Sequence, residues 1–315
     1  MVKFKEFPTI FISILLTVAY GFAVVWLFEL SGDFLETFSW SFIMLVPYAV
    51  GAIGNFIMMR QRDIGWIGAI FLPWAYIFAV TVVVLIASFG LLFCFIISFP
   101  ILFPAASIGG VTVWLLQKHP RVATLLLCFA IFSPFLSEPV EAQFEVNTAV
   151  TTTHTSVIIE GRSNTAVWEN IKTVSTITEE EYQFNWFHWL GVPRPIEAEL
   201  SYAGLGGVRT GKFEDGLQFD ETITDWQLHD EMSFIIVESS GTLLPPPLDM
   251  IDGEYFNVLS GTYRLEELPN GDIRLHFISH HQLETRFNEY GAWWMNWVMR
   301  DLQQYILEII QARLA

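Results

Sequence analysis

The chain has 315 residues, 53% of them hydrophobic, and a formal net charge of −17 at pH 7. Residues 1–137 hold six Lys and Arg and five Asp and Glu, whereas residues 138–315 hold ten and 28, a net charge of −18 (10 − 28). Because nucleic-acid phosphates and anionic headgroups repel a domain that acidic, we expect no nucleic-acid partner. The second half also lacks cysteine, which excludes a disulfide framework and a thiolate metal site there.

Five apolar segments in the first half predict five transmembrane helices. The run that begins at Pro8 is uncharged up to Glu29, long enough to cross a ~30 Å hydrocarbon core at ~1.5 Å per residue. No charged side chain occurs between Ile64 and Gln117, and a stretch of that length must fold back on itself to stay in a bilayer. The predicted helices cover residues 8–30, 38–59, 64–87, 91–116 and 122–137.

The fifth segment decides the predicted orientation. Residues 122–137 are few and include Pro134, so they form either a tilted crossing helix or a re-entrant segment. Basic residues cluster at alternate ends of the predicted helices: Lys3 and Lys5, Arg60 and Arg62, Lys118 and Arg121. With five crossings, the positive-inside rule places the N-terminus in the cytoplasm and the acidic half outside it. The acidic half lies on the opposite side if the fifth segment does not cross.

The predicted spans contain no charged residue in their interiors. Ion and proton carriers usually place such a group within the membrane, because coupling needs a titratable or coordinating side chain there. We therefore interpret the bundle as a scaffold or lipid-facing platform, with a conduit for an apolar molecule as the alternative.

The second half begins with a short acidic linker, residues 138–148, and then predicts an α+β domain over residues 149–315. Segments rich in Thr, Val and Ile, with alternating polarity, predict seven strands. These strands are residues 150–160, 197–203, 208–213, 217–226, 232–238, 255–266 and 273–283. A long helix over residues 287–314 follows them.

Local signals place two short helices and one turn among the strands. Ser163 or Asn164 can cap a helix after the first strand, and Thr178 followed by three glutamates has capping-box spacing for a second. Asn270 and Gly271 tolerate positive φ and predict a tight hairpin between the last two strands.

Short motifs accompany these elements in a fixed order. They are Ala166-Val167-Trp168, Leu190 to Pro195 (LGVPRP), Gly204 to Arg209 (GLGGVR), Phe213 to Gly216 (FEDG), Phe219-Asp220-Glu221, Thr224-Asp225-Trp226, Tyr263 to Glu266 (YRLE), and Tyr290 with Trp294. In this order they resemble the START-like, or SRPBCC, superfamily and its polyketide cyclase/dehydrase-type bacterial members. The resemblance implies a helix-grip fold, in which a curved antiparallel sheet wraps around a long C-terminal helix and a ligand pocket.

The predicted fold class is therefore an α-helical transmembrane bundle plus an α+β helix-grip domain. The resemblance implies no particular reaction, since the superfamily includes binders, lipid carriers, cyclases and dehydratases. Candidate pocket-wall residues are Trp168, Phe213, Phe219, Tyr263, Tyr290, Trp294, Trp297 and Val298. The aromatic stripe on the last helix has two other interpretations, an ordinary packed core and, for its tryptophans, a contact with the membrane interface.

Acid–base chemistry has weaker candidates. Glu221 and Arg209 lie on neighbouring predicted strands, and a carboxylate facing an apolar cup would have a raised pKa. His276 or His280 could complete such a site. The alternatives are a solvent-facing strand residue and a Glu–Arg cross-strand pair that contributes a few tenths of a kcal/mol.

The six histidines of the second half show no metal-binding spacing, so we predict neither a metal nor a cofactor. A proline-rich segment, Leu244 to Leu248, is either a lid or a stiff spacer.

The leading hypothesis is a membrane-tethered binder of an apolar or amphipathic small molecule, such as a lipid, isoprenoid or polyketide. The lipid bilayer is thus the expected partner, and no protein partner follows from the sequence. The alternatives are an enzyme of cyclase or dehydratase type and a ligand-sensing or assembly protein of the membrane.

Overall fold

The computed structural model describes residues 7–31, 39–88, 92–238 and 255–315. The proline-rich segment predicted as a lid or spacer lies outside the described residues. The chain divides into two compact units, Met1–Val146 and Asn147–Ala315.

The first unit consists of long apolar helices. They are α1 (Phe7–Ser31), α2 (Val46–Met59, preceded by a π-helical turn at Ser41–Leu45), α3 (Trp66–Ser88), α4 (Leu92–Leu115) and α5 (Pro120–Glu141). Within the described residues, five helical spans are long and apolar enough to cross a membrane, judged by length and composition. This unit is therefore compatible with membrane insertion.

Glycines allow α2 and α4 to approach closely. A Cβ atom on Gly51 would lie 2.0 Å from the carbonyl oxygen of Ala106, and one on Gly109 would lie 1.9 Å from that of Tyr48. Only glycine fits such contacts, which are typical of closely packed apolar helices. On α2, Asn55 is fully buried and donates to the Ala69 carbonyl of α3 at 3.0 Å.

The structure of helix α5 differs from the sequence predictions in two respects. The helix continues past residue 137 to Glu141, so the first residues of the predicted linker are helical. It includes Glu138, which is fully buried, so the interior of the first unit does contain a carboxyl group. The Glu141 carboxylate accepts hydrogen bonds from the backbone N–H groups of Trp40 and Ser41 at 2.6 and 2.8 Å, and thus caps the helical segment that leads into α2.

The second unit contains one antiparallel sheet in the order β1-β7-β6-β5-β4-β3-β2. Its strands are β1 (Thr148–Ile159), β2 (Pro195–Leu200), β3 (Val208–Phe213), β4 (Gln218–Gln227), β5 (Glu231–Glu238), β6 (Phe256–Glu267) and β7 (Ile273–Glu284). Its helices are α6 (Asn164–Lys172), α7 (Trp186–Trp189) and α8 (Asn288–Leu314), with a 3-10 turn at Glu214–Gly216.

The prediction of a second short helix after Thr178 is wrong. Thr178 and Glu181 do form the capping-box bond, from the Thr178 N–H to the Glu181 carboxylate at 2.8 Å, but only a turn follows. Arg313 at the end of α8 binds the same carboxylate at 2.5 Å and holds it there. A single helical turn forms later, at α7, where Asn185 accepts from the Phe187 N–H at 2.9 Å.

Side chains alternate between the two faces of each strand. On β7 the odd-numbered residues share the face on which α8 packs, because Gln303 of α8 donates a hydrogen bond to Ser279. We call this the inner face. Its hairpin end is where β6 turns into β7 at Gly271, whose φ of +86° fits the predicted hairpin. Its helix-start end is where β7 finishes and α8 begins, at Asn288.

The hairpin end of the inner face is a sealed apolar core. Helix α6 and the second half of α8 cover it, and Trp168, Leu275 and Leu307 there are fully buried. Burial of side chains of this size supplies most of the stability of a domain. A curved antiparallel sheet packed on a long C-terminal helix is a helix-grip fold, so the chain combines five long apolar helices with a helix-grip domain.

Candidate functional site

The inner face changes character toward its helix-start end. Cross-strand register places Phe213, Phe219 and Phe256 on this face near that end, and each is only half-buried. Phe213 and Phe219 meet edge to face, with ring centroids 5.5 Å apart. Half-buried aromatic rings on the inner face form the wall of a concave apolar surface, the usual lining of a small-molecule site.

A buried ion pair lies between this aromatic surface and the sealed core. Arg209 of β3 stands directly opposite Glu221 of β4, and its guanidinium donates to the Glu221 carboxylate. The two residues are 3% and 9% exposed, so they form a cross-strand pair that is buried and not solvent-facing. The guanidinium also lies 5.7 Å from the centroid of the Tyr263 ring.

Electrostatics at the pair reflect its burial. Removal from water raises the pKa of Glu221 above its ordinary value, although the positive charge of Arg209 opposes that shift. Burial also raises the pKa of the Tyr263 hydroxyl to about 12. The Nε atom of Arg209 is buried and makes no hydrogen bond to any residue that the structure describes. A buried donor of this kind is able to bind a polar group of a ligand or an ordered water.

A second polar group on the inner face centres on His281. This histidine is fully buried, and its Nε2 atom lies 3.1 Å from the Ser279 hydroxyl. Its Nδ1 atom has no hydrogen-bond partner among the described residues. Burial lowers the His281 pKa to about 4, so the ring is neutral at pH 7. The adjacent Gln303 accepts a hydrogen bond from the Thr155 hydroxyl at 2.9 Å.

Sequence reasoning did not select His281 as a site residue. The available signal was strand alternation: Leu275 and His281 differ by six positions and therefore share one face. Once Leu275 is assigned to the core, His281 must point inward.

The structure does not bring His276 or His280 to Glu221. Both are even-numbered residues of β7 and lie on the outer face, whereas Glu221 lies on the inner face. His276 contacts His154 at 2.9 Å and Glu266 at 3.1 Å, and His280 contacts the Thr152 hydroxyl at 2.9 Å. The predicted grouping of these histidines with Glu221 is thus corrected by strand alternation.

The remaining pocket-wall candidates divide among three places. Trp168 lies in the sealed core, edge to face with Trp226 at 5.0 Å between ring centroids. Tyr290 and Trp294 are half-buried, and Val298 is 9% exposed. Trp297 differs from them, because its side chain is 54% exposed.

No group of three or more His, Cys, Asp and Glu side chains that could hold a metal ion occurs in the described part of the chain. The described side chains of the inner face offer apolar contact, hydrogen bonding by buried polar groups, and a buried carboxyl group at Glu221.

Comparisons with known proteins concern the helix-grip domain. No family model matches the sequence, and no curated protein matches it. An uncharacterized protein from Bacillus thuringiensis is 14% identical, with 52% of this chain and 98% of that chain covered and a TM-score of 0.34. A truncated norcoclaurine synthase from Thalictrum flavum is 12% identical, with 53% and 95% covered and a TM-score of 0.34. Likeness at this level supports no argument, so the fold assignment rests on the strand order and on α8.

Proposed function

We propose that the chain is an integral membrane protein whose helix-grip domain binds an apolar or amphipathic small molecule of the lipid, isoprenoid or polyketide type. The observation that carries the proposal is the change along the inner face, from a sealed core to half-buried phenylalanines beside buried polar groups.

The ligand class follows from the side chains at that end. Phe213, Phe219 and Phe256 offer a wide apolar wall, which suits a hydrocarbon body. The Arg209 Nε atom and the His281 Nδ1 atom offer one donor and one neutral imidazole nitrogen for a polar group. A molecule with an apolar body and a polar group fits a surface of this kind.

Membrane attachment suits such a ligand. Apolar molecules partition into the bilayer, and a binding domain held at its surface meets them at a high local concentration. The five apolar helices supply the attachment, and the alternating basic loops favour a cytoplasmic N-terminus with the acidic domain outside the cytoplasm.

The test of binding uses the full-length chain purified in detergent, followed by mass spectrometry of its lipid extract. We expect one molecular species in constant ratio to protein, reduced at least fivefold in the double variant Phe213→Ala/Phe219→Ala. Tyr202→Ala, which changes an exposed aromatic outside the inner face, serves as the matched control. An extract that is identical in all three proteins and matches bulk detergent and lipid would refute binding at this surface.

The test of membrane integration is separate. Membranes washed with alkaline carbonate should retain the full-length chain, and only detergent should release it. Release by carbonate alone would refute membrane integration whatever the binding result.

An enzyme of cyclase or dehydratase type is the second candidate, because the buried Glu221 has a raised pKa suited to proton transfer. In that case Glu221→Gln abolishes conversion of the co-purified molecule, observed as a mass change, while the molecule still binds. Unchanged conversion in Glu221→Gln would exclude this candidate.

A further inference from the structure

An exposed aromatic patch lies on α7, on the residues just before it and on the first turns of α8. We define the patch by five side chains that are between 53% and 69% exposed: Phe184, Trp186, Trp189, Trp293 and Trp297. Large apolar rings grouped on a surface indicate a site of interaction.

Contacts join α7 to the side of α8 that carries Trp293 and Trp297, since positions 293, 297, 301 and 305 follow one another at a spacing of four residues along one helix face. Asn185, next to Trp186, hydrogen-bonds to Asp301, which lies one helical turn beyond Trp297. His188 and Tyr305 contact edge to face with ring centroids 4.9 Å apart.

The rings also contact one another within each helix. Trp293 and Trp297 stack at 5.4 Å between centroids, while Trp186 meets Phe184 at 5.0 Å and Trp189 at 5.9 Å. Such contacts hold the patch in one orientation.

One end of the patch, at Trp293, lies near the point where the chain enters the helix-grip domain. Asn288, the first residue of α8, donates a hydrogen bond to the Asn147 carbonyl just before β1. Trp293 follows Asn288 by five residues, a helical rise of about 8 Å. Only residues 142–147 separate α5 from β1, and six residues span at most about 20 Å.

We propose that the aromatic patch docks on the interface of a zwitterionic bilayer, an inference that rests on the proposed membrane integration. A short connection keeps the start of α8 close to the lipid that holds α5, and tryptophan rings prefer the headgroup region. The net charge of −18 on residues 138–315 opposes anionic lipid, so phosphatidylcholine-like headgroups fit this surface. Docking brings the helix-start end of the inner face to the bilayer, where an apolar ligand can transfer without crossing water.

The test measures contact with lipid at single positions of the full-length chain in phosphatidylcholine nanodiscs. In a Cys94→Ala/Cys128→Ala background, a bimane label is attached at Trp297→Cys, at Tyr202→Cys as the off-patch control, or at Phe129→Cys on the apolar surface of α5. Nitroxide-bearing phosphatidylcholine then quenches only labels that touch lipid. We expect quenching at positions 129 and 297 to exceed that at 202 by at least threefold.

The outcomes separate docking from membrane integration. Strong quenching at 129 with equally weak quenching at 297 and 202 overturns docking and leaves membrane integration intact. Weak quenching at 129 overturns membrane integration itself. A label at 297 that is shielded from aqueous iodide yet unquenched by lipid means that protein covers the patch, which also overturns docking.

Varying the lipid headgroup tests the preference for a zwitterionic bilayer. Replacing one third of the phosphatidylcholine by phosphatidylglycerol should reduce quenching at 297, because the acidic domain is repelled. An increase instead would overturn the zwitterionic preference.

Discussion

The two ends of the inner face belong to the same strands, yet they bury their side chains to different extents. At the hairpin end Leu275 and Trp168 are fully buried and close a continuous apolar core. At the helix-start end of the same sheet, Phe219 and Phe256 are half-buried. His281 is a buried polar residue there. The register of β6 against β7 shifts at a β-bulge between the two ends, and the residues at inward positions differ as well. Under the proposed function, the hairpin end provides stability and the helix-start end binds the ligand.

The largest expected effect tests the hairpin end. Trp168→Ala should lower the free energy of unfolding of the helix-grip domain by about 3–5 kcal/mol, the usual cost of deleting a buried tryptophan. Its Nε1 atom has no partner among the described residues, so the substitution leaves no hydrogen-bonding group unpaired. Pulse proteolysis of the full-length chain in urea measures the change.

The matched variant lies at the other end. Phe219→Ala should cost only about 1 kcal/mol, because a half-buried ring contributes part of the ~1.5–3 kcal/mol of a fully buried one. Equal losses in the two variants would show that the two ends are packed alike.

The ion pair between the two ends gives the next largest effect. Glu221→Ala leaves the Arg209 charge buried without its partner and should cost about 3 kcal/mol. The double variant Arg209→Met/Glu221→Leu removes both charges and should be close to wild type in the same assay. If the double variant proved as unstable as the single one, the cost would reflect lost volume and not an unpaired charge.

His281 predicts how stability changes with pH. Its folded pKa of about 4 lies below the ~6.5 of an unfolded histidine, so the unfolded chain binds the proton more readily. Stability should therefore fall as pH drops from 6.5 toward 4, by about 2 kcal/mol at pH 5 relative to pH 8.

The control for this prediction is His281→Gln, in which the other titrating groups are unchanged. The variant should lose about 2 kcal/mol less than wild type between pH 8 and pH 5. Identical pH profiles for the two proteins would contradict the prediction and would indicate that the His281 ring is accessible to solvent.

Much of the fold follows from the sequence, since strand alternation and helical periodicity are local signals. All seven strands and α8 occur within a few residues of their predicted limits. The limits of α5 did not follow, because composition alone marked Glu138 as linker whereas the structure buries it within the helix.

The candidate site was less predictable, because it depends on which face of each strand is inward. Glu221 and Arg209 were recognised as neighbours on adjacent strands, but their burial depends on the covering helix and not on the local pattern. The high exposure of Trp297, 54%, illustrates the same difficulty, since helical spacing alone does not predict how far a side chain is covered.

The smallest predicted effect concerns a surface contact at the end of α8, where Arg313 binds Glu181 and the Ser175 carbonyl. The ion pair lowers the pKa of Glu181 to about 2, so its stabilisation is complete above pH 4.5 and is lost as pH falls toward 2. Because the carboxylate is partly exposed, Glu181→Gln should cost only about 1 kcal/mol at pH 7. The neighbouring Glu180→Gln, at an exposed position, is the matched control and should behave as wild type. If Glu181→Gln cost as much as Trp168→Ala, the segment that precedes α7 would be part of the core, and the contrast between a sealed hairpin end and a half-buried helix-start end would have to include it.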